Sequence, residues 1–388
     1  MKKILSLALA AVMVAGLAAC GNSSNTTTAA ETEAATETTA ETEASAEADK
    51  PETITIQALN ASAELADIEV PYDPQRIAIL DLACLDILDN LGLGDRVVGC
   101  ASTSIDYLQS YVTDENIVNL GTIKEADLEA VMACEPDIIF IGGRLSSYYD
   151  ALNEIAPVVY IATDVEQGLV KSVSNNAKTI ASIFGKEDEI DAKLADFDER
   201  ITALAEFAEG KTALVGMCTS GSFNLFGNDG RCSIIGNEIG FNNIGADAAA
   251  ANSGGRGGNG GGRGGNGGGR GGNGGGEAAA ETTAETAAAE TTENSQGGTP
   301  THGNEASFEL IVSLNPDYIF VMDRDAAIGT DGAQLAQEIM ENELVMGTDA
   351  YKNGNIVYLE HPAVWYTAEG GITALDYMLQ DLESALLK

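Results

Sequence analysis

The sequence predicts an α/β protein made of two lobes, each with a parallel-sheet α/β topology, joined by a single long helix. Residues 127–144 and 307–324 match each other at a constant offset of 180 positions. Patterns typical of buried strands alternate with patterns typical of helices on both sides of a charged amphipathic stretch at residues 187–208. A single repeat of such long period indicates two similar lobes, because a solenoid would need several shorter units.

Each copy of the repeat predicts a short amphipathic helix, a Pro-Asp turn, a buried parallel strand and an arginine where that strand ends. The arginines are Arg144 and Arg324, and the matched helices carry Glu129 and Glu309. Ligands of open α/β sheets bind beyond the carboxyl ends of the strands. Two lobes that face each other would therefore present both arginines to one shared cleft.

The amino terminus predicts an exported protein held at the extracytoplasmic face of the cell membrane. Residues 1–19 have two lysines, a short apolar run and small residues, a pattern typical of a cleaved signal peptide rather than a spanning helix. The LAAC sequence resembles a bacterial lipobox, which would make Cys20 the lipidated first residue of the mature chain. The alternative is an ordinary signal peptide whose cleavage site contains a cysteine. Residues 20–50 have few large apolar side chains and are predicted to be a disordered tether.

Residues 51–165 are predicted to form the first lobe and residues 166–210 the connecting helices. Outside the repeat copy, the first lobe is predicted to contain strands at 76–80, 96–100 and 158–161 and a helix at 82–91. The connection begins with a helix at 169–184. A continuous helix over residues 187–208 would be about 33 Å long, which is enough to run from one lobe to the next.

Residues 211–388 are predicted to form the second lobe, which an insert at residues 248–300 interrupts. Outside the insert and the repeat copy, the predicted elements are strands at 212–218, 222–227 and 355–359 and helices at 233–239, 333–344 and 372–387. The insert repeats GGRGGNG and is predicted to be a disordered loop, because ordering so many glycines is entropically unfavourable. Arg-Gly-Gly steps also occur in RNA-binding segments, but three arginines on an exported, acidic protein make nucleic acid a poor partner.

Composition and motifs favour binding over catalysis. The formal net charge of −40 argues against nucleic acid and anionic lipid surfaces, so contact with the membrane is predicted through the lipid anchor only. The cysteines beyond Cys20 are odd in number and lack CxxC spacing, which gives no disulfide framework and no zinc site. Triad, HExxH and Walker patterns are absent from the sequence, and two histidines are too few for most metallohydrolase sites. The protein is therefore not predicted to be an enzyme, and no intrinsic cofactor is predicted.

Three arginines form the candidate ligand site. Arg231 lies just before a predicted helix and joins Arg144 and Arg324 at positions where strands or loops should meet the cleft. Each arginine alone could form a salt bridge, and Asp323 or Asp325 could pair with Arg324. Together they predict a compact anionic ligand, since arginine recognises anions through charge-assisted hydrogen bonds.

The two histidines and the single tryptophan lie at loop positions near predicted strand ends, where sites on such folds are built. His302 precedes the second repeat copy, and His361, Trp365 and Tyr366 follow a predicted strand. A surface histidine before a helix is more often a cap or a bystander than a ligand. Spacing alone therefore gives only modest support for a site here.

Several of these stretches, in this order, resemble the siderophore-binding lipoproteins of bacterial ABC importers, and most closely those that take up ferric catecholates. The resemblance covers nearly all of residues 51–388 except the insert. It implies the class III solute-binding fold, with two α/β lobes joined by one long helix. The stretches that carry it are VPYDPQRIAILD (70–81), NLGTIKEADLEAV (119–131), PDIIFIGGR (136–144), HGNEASFELI (302–311), PDYIFVMDRDAAIG (316–329), ENELVMGTDAYKNGNIVYLE (341–360) and WYTAEGG (365–371).

The resemblance also implies roles for individual residues. The family's arginine triad corresponds to the same three arginines, and Trp365 is expected to contact the ligand. His302 and Tyr366 are expected to complete the coordination of Fe(III) in a tetradentate siderophore, although the insert beside His302 could displace it and His361 could compete. Glu129 and Glu309 are expected to dock onto the permease. Solvated helix positions are the alternative for these two acids.

The predicted function is capture of a ferric catecholate siderophore, which carries Fe(III) as the ligand, by a monomer that delivers it to an ABC permease. Another metal chelate, such as haem or a corrinoid, is the alternative within binding proteins. A surface adhesion protein that uses the Gly-rich insert is the alternative of another class.

Overall fold

The computed structural model describes residues 51–253 and 304–388. The predicted signal peptide, Cys20, the tether, His302 and nearly all of the insert lie outside the described residues and stay predictions. In the described ranges, no helix combines the length and the apolar character needed to cross a membrane.

Two β-sheets organise the described part of the chain. The first has seven strands in the order β2-β1-β7-β6-β3-β4-β5, and the second has six, in the order β11-β9-β8-β12-β13 with β10 beside β8. The strands are β1 (Thr53–Leu59), β2 (Leu65–Pro71), β3 (Ile77–Ile79), β4 (Val97–Cys100), β5 (Val118–Asn119), β6 (Ile138–Ile141), β7 (Val158–Tyr160), β8 (Thr212–Thr219), β9 (Ser222–Leu225), β10 (Asn242–Asn243), β11 (Asn304–Glu305), β12 (Tyr318–Asp323) and β13 (Ile356–Tyr358).

Helices surround both sheets. They are α1 (Leu82–Asn90), α2 (Gln109–Thr113), α3 (Leu128–Ala133), α4 (Tyr149–Asn153), α5 (Leu169–Ile183), α6 (Glu187–Leu194), α7 (Phe197–Ala208), α8 (Ile234–Asn237), α9 (Ala246–Ser253), α10 (Phe308–Leu314), α11 (Arg324–Ala327), α12 (Ala336–Met340), α13 (Glu343–Met346), α14 (Asp349–Lys352), α15 (Pro362–Thr367) and α16 (Ile372–Leu386).

Parallel pairing dominates the centre of each sheet, which confirms the predicted α/β fold class. Strands β3, β4, β6 and β7 pair in parallel, and β12 lies parallel to both β8 and β13. Every residue of β3, β6 and β7 is buried, as expected for strands that helices cover on both faces. Antiparallel pairs occur where β1 meets β2 and β7, and where β9 meets β8 and β11.

The repeat is visible as two equivalent units. Strand β6 follows α3, and strand β12 follows α10. The aspartate of the Pro-Asp turn makes equivalent hydrogen bonds in both units. Asp137 accepts backbone N–H groups of Gln75 at 2.8 Å and Arg76 at 2.9 Å, and Asp317 accepts the backbone N–H of Thr212 at 2.8 Å. Each aspartate therefore ties the start of its own strand to the chain that enters the neighbouring strand.

The predicted uninterrupted helix over residues 187–208 is wrong, because a turn at residues 195–196 divides it into α6 and α7. Helices α6 and α7 form ion pairs with different helices. Lys178 of α5 pairs with Asp191 of α6 at 2.7 Å. Arg200 of α7 forms ion pairs of 2.6 and 2.7 Å with two acids of α16. Helices α5 to α7 therefore connect the two sheets as a packed group.

The carboxylates of buried Asp86 and half-buried Glu238 join two halves of the described chain reciprocally. The first half consists of the first sheet with α1–α5, and the second half consists of the second sheet with α8–α16. Asp86 of α1 accepts the backbone N–H groups of Thr373 and Ala374, both at 2.9 Å, at the beginning of α16. Glu238, just after α8, accepts the N–H groups of Leu169 and Val170 at the beginning of α5. Because each helix start is capped by a residue from the other half, the halves are held in a defined relative position.

Candidate ligand-binding site

The three candidate arginines converge on one tyrosine ring. Arg144 follows β6, Arg324 follows β12, and Arg231 lies before α8, while Tyr366 is buried in α15. The guanidinium carbons of Arg144, Arg231 and Arg324 lie 5.8, 4.4 and 5.6 Å from the centre of the Tyr366 ring. The structure thus brings together side chains from both sheets.

Hydrogen bonds fix this arginine cluster, which consists of Arg144, Arg231 and Arg324. Arg144 Nη2 donates to the Tyr366 carbonyl oxygen at 2.8 Å, and Arg231 Nη2 donates to the same oxygen at 3.4 Å. Arg324 Nε donates to the Tyr366 hydroxyl at 3.0 Å. The Tyr366 residue therefore orients all three cations, and cation–π attraction adds to these contacts.

Burial and mutual repulsion make the cluster receptive to negative charge. Burial lowers the pKa of Arg144, and the charge of Arg231 lowers it further, while Asp81 acts in the opposite direction. The side chain of Arg324 is only 16% exposed. An anion placed among these guanidinium groups would relieve the repulsion and replace the lost hydration.

Three acids support the cluster, and only one of them was considered from the sequence. Asp325 lies 3.6 Å from Arg324, as anticipated, whereas Asp323 instead caps α11. Asp81 caps α1 and lies against Gly142, where an added Cβ would be 2.1 Å from its Oδ2 atom. Glu369 is the third acid. Its carboxylate accepts the backbone N–H of Cys232, the residue after Arg231, at 3.0 Å.

Trp365, which was predicted to contact the ligand, has a side chain that is fully buried in the core. Its indole N–H donates to Asp381 of α16 at 2.8 Å. His361 is engaged by the same carboxylate, with 2.6 Å between its Nδ1 and Asp381 Oδ1. Consecutive residues of a helix point about 100° apart, which is why Trp365 and Tyr366 face different surroundings.

The two candidate docking acids occupy equivalent surface positions. Glu129 and Glu309 are exposed in the first turns of α3 and α10. One turn further along each helix is an exposed apolar residue, Met132 at 61% and Val312 at 39%. Met132 and Val312 also match at the offset of 180. Each follows its glutamate by three residues, so the two side chains lie on the same face of the helix. Each half therefore presents an acid with an apolar neighbour.

A metal site made by the protein alone is not found in residues 51–253 and 304–388, where no group of three or more histidine, cysteine, aspartate or glutamate side chains is placed to hold an ion. His302, the predicted partner of Tyr366 in iron coordination, lies outside these ranges.

Comparison with known proteins places these features in a family context. The Petrobactin-binding protein YclQ of Bacillus subtilis is 28% identical over 390 residues, which span 100% of both chains. The Ferric-anguibactin-binding protein FatB of Vibrio anguillarum is 23% identical over 316 residues, which are 80% of this chain and 81% of FatB.

Solved structures share the fold. The crystal structure of YclQ superposes with a TM-score of 0.68 and 28% identity, covering 87% of this chain and 100% of YclQ. The periplasmic catecholate-siderophore binding protein VctP of Vibrio cholerae has a TM-score of 0.65 and 26% identity, covering 86% and 100% of the two chains. These neighbours have the class III fold, as the sequence resemblance implied.

The sequence pattern of the family Peripla_BP_2, described as periplasmic binding protein, matches residues 77–259 and 264–363. The match includes all three arginines of the cluster and extends over well more than half of the chain. The chain therefore belongs to the Peripla_BP_2 family of periplasmic binding proteins.

Proposed function

We propose that this protein captures an anionic ferric siderophore, specifically a ferric catecholate, between its two halves and delivers it to an ABC permease. The observation that carries the proposal is the convergence of Arg144, Arg231 and Arg324 on Tyr366 from both sheets. The names of YclQ, FatB and VctP, which all refer to siderophores, support the ligand class.

The charge pattern favours a compact, highly charged anion. The chain has a formal net charge of −40, so the cluster is a local positive site on a strongly acidic protein. Arginine offers a planar fork of N–H donors, which can donate to more than one anionic oxygen of a catecholate. A neutral or cationic chelate would gain less from the cluster, because it would bring no negative charge to the guanidinium groups.

Iron is the cargo of this proposal. Fe(III) is a hard ion that prefers oxygen ligands, and the four oxygens of a bis-catecholate leave two coordination positions open. We propose that His302 and the Tyr366 hydroxyl fill them. The hydroxyl currently accepts a hydrogen bond from Arg324 Nε, so coordination requires Tyr366 to exchange that contact for iron.

The proposal is tested by titrating the purified protein with a ferric bis-catecholate and, as a control, with a neutral ferric trihydroxamate. We expect saturable, tight binding of the catecholate with a new protein-to-iron charge-transfer band, and binding of the hydroxamate that is weaker by about two orders of magnitude, because charge-assisted contacts are lost. Tyr366→Phe should bind the catecholate but lack the band. Equal affinity for both chelates would exclude an anion-selective site, and an unchanged band would exclude Tyr366 as a ligand.

Delivery to the permease would use the acidic and apolar pairs on the two halves. We propose that Glu129 with Met132, and Glu309 with Val312, dock onto two equivalent basic surfaces of the permease, while lipid-modified Cys20 holds the protein at the membrane. The match of both pairs at the same offset supports a partner with two similar binding faces.

Reversing both docking charges should impair transport without impairing capture. In the native cells, Glu129→Lys together with Glu309→Lys is expected to reduce uptake of the labelled siderophore at least tenfold, since like charges at an interface disfavour association. The affinity of the purified variant should be unchanged. Glu115→Lys with Glu187→Lys, which changes two other exposed acids by the same charge, should transport normally. Equal uptake by both double variants would refute the docking proposal.

A further inference from the structure

A carboxylate with no assigned role contacts the segment that carries one of the arginines. Glu369 follows α15, and its Oε1 accepts the backbone N–H of Cys232 at 3.0 Å. Cys232 has a φ of 61°, a left-handed conformation that is strained for a residue other than glycine. Because Cys232 directly follows Arg231, the Glu369 contact stabilises the backbone conformation that places Arg231 against Tyr366.

Charged and titratable groups from three neighbouring segments face Glu369. Arg231 and Cys232 precede α8, Glu238 follows it, and Arg144 follows β6. Burial raises the pKa of Glu369 to about 7, the positive charges of Arg231 and Arg144 oppose this rise, and the negative charge of Glu238 adds to it. Near neutral pH, Glu369 is therefore divided between its protonated and ionised forms.

An anionic ligand would compete with Glu369 for the same positive charge. Ionised Glu369 is stabilised by Arg231 and Arg144. When a ligand oxygen binds these cations, a second negative charge enters the site, and a nearby like charge disfavours an ionised carboxylate. Protonated Glu369 carries no charge and so does not repel the ligand. Its carbonyl oxygen can still accept the N–H of Cys232.

We propose that Glu369 is a positioning residue for Arg231 and that it takes up a proton when an anionic ligand binds to the arginine cluster. This inference rests on the proposed function, since it requires an anion at the cluster. Below neutral pH the proton is already in place, whereas above neutral pH each binding event must take it from solution. The contribution of Glu369 therefore makes the affinity decrease as pH rises, by about tenfold between pH 6 and pH 8.

The test is isothermal titration calorimetry with the ferric complex of a tetradentate bis(2,3-dihydroxybenzoyl) ligand, at pH 6, 7 and 8, in buffers of different ionisation enthalpy. At pH 8 the wild-type protein should take up most of one proton more than Glu369→Gln, because free Glu369 is mainly ionised above a pKa of about 7. Since the ligand is the same in each titration, its own protonation cancels. Glu369→Gln keeps an acceptor for Cys232 and should lose the tenfold dependence on pH. Glu369→Ala lacks the acceptor and should bind more weakly than Glu369→Gln at every pH.

Other results would overturn the inference in distinguishable ways. Binding by the wild-type protein with the same proton uptake and pH dependence as Glu369→Gln would refute it and leave the proposed function intact. If the proton uptake on binding were lost in Asp81→Asn but not in Glu369→Gln, the group that takes up the proton would be Asp81, beside Arg144. The absence of any binding by the wild-type protein would overturn the proposed function and this inference together.

Discussion

Replacement of both Arg144 and Arg324 by alanine should weaken binding of a ferric bis-catecholate by about a hundredfold to ten-thousandfold. A hydrogen bond to a charged group contributes about 1.5–3 kcal/mol, so the loss of two such donors corresponds to about 3–6 kcal/mol. Arg144 belongs to the first half and Arg324 to the second, so the double variant removes one member of the arginine cluster from each half. Titration of the purified variant measures the change directly.

A control must separate this local effect from the change in total charge. Lys124→Ala with Lys352→Ala removes two exposed positive charges elsewhere and should bind like the wild-type protein. Circular dichroism of both double variants reports whether they are folded. Wild-type affinity in a folded Arg144→Ala/Arg324→Ala variant would remove the basis for an arginine-centred site.

Replacement of Asp86 by alanine should lower the free energy of unfolding by about 3 kcal/mol or more. The change removes the carboxylate that accepts two backbone N–H groups at the beginning of α16 and the hydroxyl of Tyr107 at 2.6 Å. Each buried donor that loses its acceptor costs about 1–3 kcal/mol. Since Asp86 joins the two halves, we also expect weaker binding of the ligand. Urea unfolding followed by circular dichroism measures the stability.

The matched control is on the same helix. Asp89→Ala removes an exposed carboxylate that accepts one hydrogen bond, from the Tyr111 hydroxyl at 2.6 Å, and should lower the stability by about 1 kcal/mol or less. If Asp86→Ala were no less stable than Asp89→Ala, the reciprocal capping of helices between the halves would not be what holds them together.

The repeat made much of the fold predictable. Its helix, turn and strand are local patterns, and the Asp137 and Asp317 contacts show that each copy encodes one structural unit. The antiparallel pairing of β1 and β2 was not predicted, because strand pairing depends on a partner strand that no local pattern identifies. The break within residues 187–208 was missed for a similar reason. Its hydrophobic spacing continues through the turn, while the two pieces pack on different helices.

The candidate site was partly predictable because strand ends are recognisable in sequence. Arg144 and Arg324 were located by that rule, and the family resemblance supported Arg231. Glu369 was missed although it lies in a stretch that carries the resemblance. Its contact is with Cys232, 137 residues away in the chain, and no local sequence pattern predicts a contact between residues so far apart. The burial of Trp365 was not predictable from its neighbour, because adjacency to Tyr366 in sequence does not mean a shared helix face.

The most direct measurement is a crystal structure of the protein with a ferric bis-catecholate, in which anomalous scattering locates the iron. The account predicts iron between the two sheets, with catecholate oxygens within hydrogen-bond distance of Arg144, Arg231 and Arg324. Iron bound elsewhere, with the three guanidinium groups still arranged around Tyr366, would contradict it.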